Sequence, residues 1–155
     1  MNKKQTIAKN YLNKYYSYYR QLNLLRDRIE LLNNDINRCT GNYEANDYKA
    51  YPNSKEHREE LLAKASDMNS IFEEKVLELK AMDEEILSVI MQIEVKNDKD
   101  ETARDVLIAR YINRMSWKEI TKDISYERAQ TFRYHLKGLD LAYPVIMGIR
   151  RKKKR

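Results

Sequence analysis

Residues 4–38 read KQTIAKNYLNKYYSYYRQLNLLRDRIELLNNDINR, a stretch without a glycine or a proline. Within it Tyr11, Tyr15, Tyr18, Leu22, Leu25, Ile29, Leu32 and Ile36 follow one another at alternating spacings of four and three. Apolar residues returning every 3.5 positions describe the seam of a coiled coil, narrower than the stripe of a helix lying on a globular core. The spacing predicts one helix over 4–38, with tyrosines opening the seam and aliphatic side chains closing it. The pattern stops at Arg38. Residues 39–54, CTGNYEANDYKAYPNS, contain Gly41, Pro52 and several Asn and Asp, all of which favour turns or break helices. A loop is expected there, with Ser54 as the cap of the next helix.

From Lys55 to Lys96 glycine and proline are again absent. Ala65, Phe72, Leu79, Ile86 and Ile93 recur every seven residues, and Met68, Met82 and Val89 fill interleaved positions, with Lys75 interrupting that second series. At 1.5 Å per residue the two helices, about 4–38 and 55–96, would be roughly 50 and 60 Å long. The loop lets them fold back antiparallel and bury one stripe against the other. Leu12, Tyr16, Tyr19, Leu31, Ile71, Leu77 and Leu87 fall outside both seams. A hairpin of two helices has little interior to hide them, so a homo-oligomer is expected, a dimer first. The other reading of the tyrosine cluster is a stacking surface for single-stranded nucleic acid; its seam spacing favours a core role.

The chain has 155 residues, 30 Lys and Arg against 24 Asp and Glu, and a net charge of +6. That charge is unevenly spread. Residues 1–50 carry 9 basic and 5 acidic side chains, residues 51–100 carry 7 and 13, and residues 101–155 carry 14 and 6. A basic end beside an acidic middle points to polyanion contact at the end. Three glycines and two prolines leave too few turns for a sandwich or barrel. Two histidines and one cysteine cannot supply a Cys/His zinc module or a disulfide framework. No metal and no cofactor are therefore expected, and Cys39 reads as a reduced thiol in a cytoplasmic protein. No apolar run approaches the ~20 residues of a membrane span, and MNKKQTIAKNY lacks the apolar core of a signal peptide.

Lys96 to Asp100 is a polar break. Helical patterning resumes at about Glu101 and runs to Ile112, and Asn113-Arg114-Met115 forms a turn. Ser116-Trp117-Lys118-Glu119 has the spacing of a capping box, opening a short helix that ends near Ser125. A longer helix follows, about 127–141, stopped before Pro144. Two helices of these lengths joined by three or four residues make a helix-turn-helix. Ile120, Ile124, Tyr126, Thr131 and Tyr134 occupy its inward positions. Arg128, Ala129, Phe132, Arg133 and Lys137 occupy the outward face of the second helix, the face that enters the major groove. Arginine pairs bidentately with guanine, and Gln130 is suited to adenine if it faces the groove. Ser116, Trp117, Lys118 and Lys122 are candidates for phosphate contact. The last segment, 143–155, joins Val145, Ile146, Met147 and Ile149 to a basic tail, Arg150, Arg151, Lys152, Lys153, Lys154 and Arg155. That tail is expected to follow the phosphate backbone rather than a membrane, since its apolar residues are too few for stable attachment.

Residues 110–139, RYINRMSWKEITKDISYERAQTFRYHLKGL, resemble region 4 of the sigma-70 family. They are closer to the sigma-region-4-like C-terminal domain of phage late-transcription regulators of the ArpU/RinA type. The likeness rests on Arg110-Tyr111-Ile112, Met115 to Ile120, Tyr126 and Phe132-Arg133-Tyr134-His135. It implies a phage or prophage regulator in the cytoplasm of a bacterial host, activating late or packaging genes, with double-stranded DNA as its partner. It also implies Arg128, Ala129, Phe132, Arg133 and Lys137 as the groove-facing surface. The chain departs from that pattern in several places. Asn113-Arg114 stands for a turn glycine, Thr121 for a small alanine, Glu127 for a Ser or Thr cap, and Thr131 for Val or Ile. Gly138 lies inside the second helix, at a cost of ~1 kcal/mol relative to alanine.

The expected fold is all-α: a long antiparallel coiled-coil hairpin over 1–96, a sigma-region-4-like helix-turn-helix over 97–142, and a basic tail over 143–155. No catalytic constellation is found. His57 and His135 are far apart, adjacent glutamates diverge around a helix, and there is no glycine-rich phosphate loop. Two other readings compete with the DNA-binding regulator. One is a protein-interaction module that holds RNA polymerase or another phage regulator while a vestigial helix-turn-helix does nothing. The other is a small terminase-like DNA-packaging protein.

Overall fold

Asn2 opens the first helix: its Oδ1 accepts from the Gln5 amide at 2.8 Å, and Gln5 Oε1 accepts from the Asn2 amide at 2.9 Å. In this computed structural model, which describes residues 1–40 and 54–155, six helices follow in order. They are α1 (Lys3–Leu12), α2 (Tyr16–Thr40), α3 (Ser54–Met91), α4 (Asp98–Leu107), α5 (Trp117–Asp123) and α6 (Arg128–Lys153), with a π-helical turn at Ile108–Ile112 prolonging α4. No strand occurs among the described residues, and the fold is all-α. Cys39 and Thr40 belong to α2 and Ser54 to α3; the remainder of the expected loop, 41–53, lies outside the described residues.

The chain divides into two compact units, Tyr16–Leu79 and Met1–Tyr15 with Lys80–Arg155. These borders differ from the expected ones at 96 and 142. Within Tyr16–Leu79, Leu32 and Ile36 of α2 form a buried cluster with Leu61 and Ala65 of α3, and Cys39 and Met68 pack at its edge. The Lys75 ammonium lies 5.4 Å from the Tyr18 ring centroid. The end of α2 thus meets the start of α3, and its beginning meets a later part. Leu22 is buried, while Leu25, Ile29, Phe72 and Leu79 are half-buried. Tyr16, Tyr19, Leu24, Leu31, Leu62, Ile71 and Leu77 remain exposed.

The predicted uninterrupted helix 4–38 is broken at residues 13–15. Asn13 leaves the helical region at φ −92°, ψ 4°, and its amide donates to the Lys9 carbonyl. The break has a physical cause in what the flanking tyrosines do. Tyr11 Oη donates to Glu85 Oε1 at 2.6 Å, and Tyr15 is buried beneath the Arg114 guanidinium, 4.8 Å from its ring centroid. Both therefore belong to the second unit instead of opening the seam. Ile86 and Ile93 are buried in that unit as well. Leu12, expected outside the core, is fully buried on α1, the helix that packs along α6.

The second unit is built on α6, against which α1, α4 and α5 pack. Ala103, Val106, Ala109, Ile120 and Tyr134 form its central cluster, with Met115, Trp117, Ile124 and Leu141 around it. α4 begins at Asp98 because Asn97 caps it, its side chain accepting from the Asp100 amide at 3.0 Å. α6 does not stop before Pro144: it continues through it to Lys153, so the expected separate tail is helical. Proline forfeits one helical hydrogen bond and crowds the preceding turn. Ala142 and Ile146, on either side of it, are completely buried, and that packing holds the helix through the defect.

Candidate nucleic-acid interface

The expected capping box is present: Ser116 Oγ accepts from the Glu119 amide at 3.3 Å, and Glu119 Oε2 accepts from the Ser116 amide at 2.7 Å. The Ser116 hydroxyl and amide hold the Glu119 carboxyl below its ordinary range. They start α5 one residue later, which places Trp117 at its first position. Residues 124–127 then lead into α6, with Ser125 in the left-handed region at φ 55°.

Trp117 is the hub of the region. The Arg110 guanidinium stacks 5.0 Å from its ring centroid and also donates to the Met115 carbonyl at 2.9 Å. Phe132 meets the indole edge to face at 6.0 Å, and His135 does so at 4.9 Å. Arg110 lies in the π-helical turn, where the Asn113 amide reaches back five residues to the Ile108 carbonyl at 3.0 Å. Such a turn shifts the register of side chains by one position and is frequent at functional sites. Periodicity gave no sign of it.

On α6 the first turns present Arg128, Ala129, Phe132 and Arg133 to solvent. Trp117, Arg128, Ala129 and Phe132 line an open groove of ≈ 480 Å³. Gln130 is half-buried, its Oε1 at 3.5 Å from Arg133 Nη1. Lys137 is half-buried and is not among the described residues that line the groove. Its ammonium pairs with Asp100 Oδ1 at 2.6 Å, against the first turn of α4. Lys137 and the Lys96 amide hold the buried Asp100 carboxyl below its ordinary value. Tyr126, expected inward, is exposed and lies against Tyr134 with centroids 5.3 Å apart.

Ser116, Lys118 and Lys122 are exposed, Trp117 is half-buried, and Arg150 to Arg155 are exposed. Lys153 reaches Glu85 Oε1 at 3.4 Å, and Lys14 pairs with Glu85 Oε2 at 2.8 Å. Hydrogen bonds from Lys14 and Tyr11 draw the Glu85 carboxyl down to about 2.

His135 lies on the inner side of α6. It is buried, with Nε2 2.9 Å from Tyr111 Oη and its Nδ1 without a partner among the described residues. Burial pushes its pKa down to about 4, and the charges of Lys9 and Arg110 act in the same direction. It is a neutral core residue behind the groove. The same burial pushes the Tyr111 hydroxyl up. Among the described residues no helix is long and apolar enough to cross a membrane. No family model, curated protein or solved structure matches the chain.

Proposed function

We propose that this protein is a transcription regulator that binds double-stranded DNA through a helix-turn-helix made of α5 and α6. The first two turns of α6 enter the major groove. The observation that carries this reading is the exposed face Arg128, Ala129, Phe132 and Arg133; among the described residues its groove is lined by one guanidinium, an alanine and two aromatic side chains, with no carboxylate. Arg128 and Arg133 are the base-edge residues, and Lys118 and Lys122 flank them as phosphate contacts. The exposed apolar row in Tyr16–Leu79 supports self-association through α2 and α3. The likeness of residues 110–139 to sigma region 4 suggests a phage regulator of late or packaging genes, working in the host cytoplasm beside RNA polymerase.

Selection of bound duplexes from a random pool tests the reading. A defined sequence is expected to emerge. Arg128→Ala and Arg133→Ala are each expected to reduce discrimination between that sequence and random DNA, by about 1–3 kcal/mol per lost base contact. Equal losses on both DNAs would reassign these residues to the phosphate backbone. Failure to bind any duplex at low salt would overturn the reading and leave the exposed row on α2 and α3, a protein-docking surface, as the functional part.

A further inference from the structure

The groove at the start of α6 has an unusual composition for a surface that meets a polyanion. Its walls are the Trp117 indole, the Phe132 ring and the Ala129 methyl, and among the described residues Arg128 is its only charged one. The two rings are fixed edge to face, 67° apart, and His135 supports both from behind, with centroids 4.9 and 5.8 Å away. Ala129 and Phe132 offer nothing to a phosphate oxygen, and Trp117 offers only its indole N–H. Apolar walls of this kind gain most from an apolar group.

In the major groove thymine is the one base whose edge carries such a group: a C5-methyl beside the O4 acceptor. Cytosine offers a donor there, which the cation at the rim disfavours, and guanine offers acceptors but no methyl. Thymine meets both halves of the groove. We propose that this groove is a specificity pocket for the thymine methyl, with Trp117, Ala129 and Phe132 enclosing it and Arg128 donating to base-edge acceptors beside it. The inference rests on the DNA-binding reading and adds to it the identity of one base.

The test uses the full-length protein and the duplex that selection yields. Each thymine is replaced in turn by deoxyuridine, which pairs identically and lacks only the methyl. One thymine is expected whose replacement weakens binding about fourfold, the size of one buried methyl. Phe132→Ala and, separately, the milder Ala129→Ser are expected to bring that thymine-to-uracil ratio close to one. Trp117 is the chain's single tryptophan, so 5-iododeoxyuridine at the same position should quench its emission and elsewhere should not. Uniform affinity for every uracil-substituted duplex would overturn the inference while leaving sequence-specific binding intact. No selected sequence at all would overturn the DNA reading, and the inference with it.

Discussion

Gly138 sits in the middle of α6, where a helix ordinarily gains about 1 kcal/mol from alanine. A Cβ built there would stand 2.8 Å from the Ala103 carbonyl oxygen and 2.8 Å from Leu107 Cγ. The carbonyl belongs to α4's backbone and has no freedom to withdraw, so Gly138 is what lets α4 and α6 approach. Gly138→Ala is expected to destabilise the protein by about 1–3 kcal/mol in urea denaturation, the overpacking cost outweighing the propensity gain. His135 gives a second expectation at this scale. Its pKa is about 4 when folded and about 6.5 when unfolded. Between these values the unfolded chain binds the extra proton, so this contribution is intact above pH 6.5 and is lost as pH falls toward 4. The loss is on the order of 3 kcal/mol when complete. Thermal melts from pH 7 to pH 4 should show that slope, and His135→Leu should remove this part of it. Local chemistry of this kind was legible only where it ran along the chain. The Ser116–Glu119 box could be read from a spacing of three. The Tyr111–His135 contact and the Gly138 clearance join residues on different helices, which no periodicity encodes. Arg114 shows the same limit. It occupies a left-handed position, φ 55°, where glycine would be unstrained, and its guanidinium is fixed by both Asp83 oxygens at 2.7 and 2.8 Å. The sequence marks the missing glycine and not the aspartate that compensates for it.

Helix beginnings were more legible than helix ends. A start is set by one side chain accepting from bare amides, as the Ser116 box showed; Asn97 does the same for α4, three residues before the expected start near Glu101. An end depends on whether the following residues have something to pack against. Pro144 illustrates this: local propensity stops α6 at about 141, yet the buried faces at Ala142 and Ile146 carry it to Lys153. Because Pro144 itself is exposed, Pro144→Ala should restore the missing hydrogen bond without disturbing the core. An increase in unfolding free energy of about 1–3 kcal/mol is expected in urea titration. The opposite error occurs at Asn13. There the heptad spacing runs on through Tyr11, Tyr15 and Tyr18, while the backbone turns because Glu85 and Arg114 engage the first two rings. An apolar period records that residues are buried and not what buries them.

At the scale of the whole molecule, the unit carrying the candidate interface is discontinuous in sequence, taking Met1–Tyr15 as well as Lys80–Arg155. The expected boundaries at 97 and 142 would remove α1 and the end of α3, including Ala8, Leu12, Ile86, Val89 and Ile90, all buried at 0% exposure. A fragment 97–142 is therefore expected to show no cooperative unfolding transition by circular dichroism, whereas the full chain does. The all-α class could be read from scarce glycine and proline. The closure of this unit by the chain's first residues could not, because α1 looks like the beginning of a seam.

The continuity of α6 also sets a distance. From Arg128 to Arg150 the helix rises about 33 Å at 1.5 Å per residue, close to the ~34 Å repeat of B-form DNA. A flexible basic tail would double back onto the phosphates nearest the reading surface. A helical one cannot, and its last cations are further anchored by Lys153 on Glu85. On the proposed DNA-binding reading, α6 therefore works as a ruler with a positive mark at each end. A straight duplex gripped at Arg128 and Arg133 is met by the far mark only if it runs alongside the helix. Any other duplex must bend to reach it, or leave that mark for a second segment of DNA.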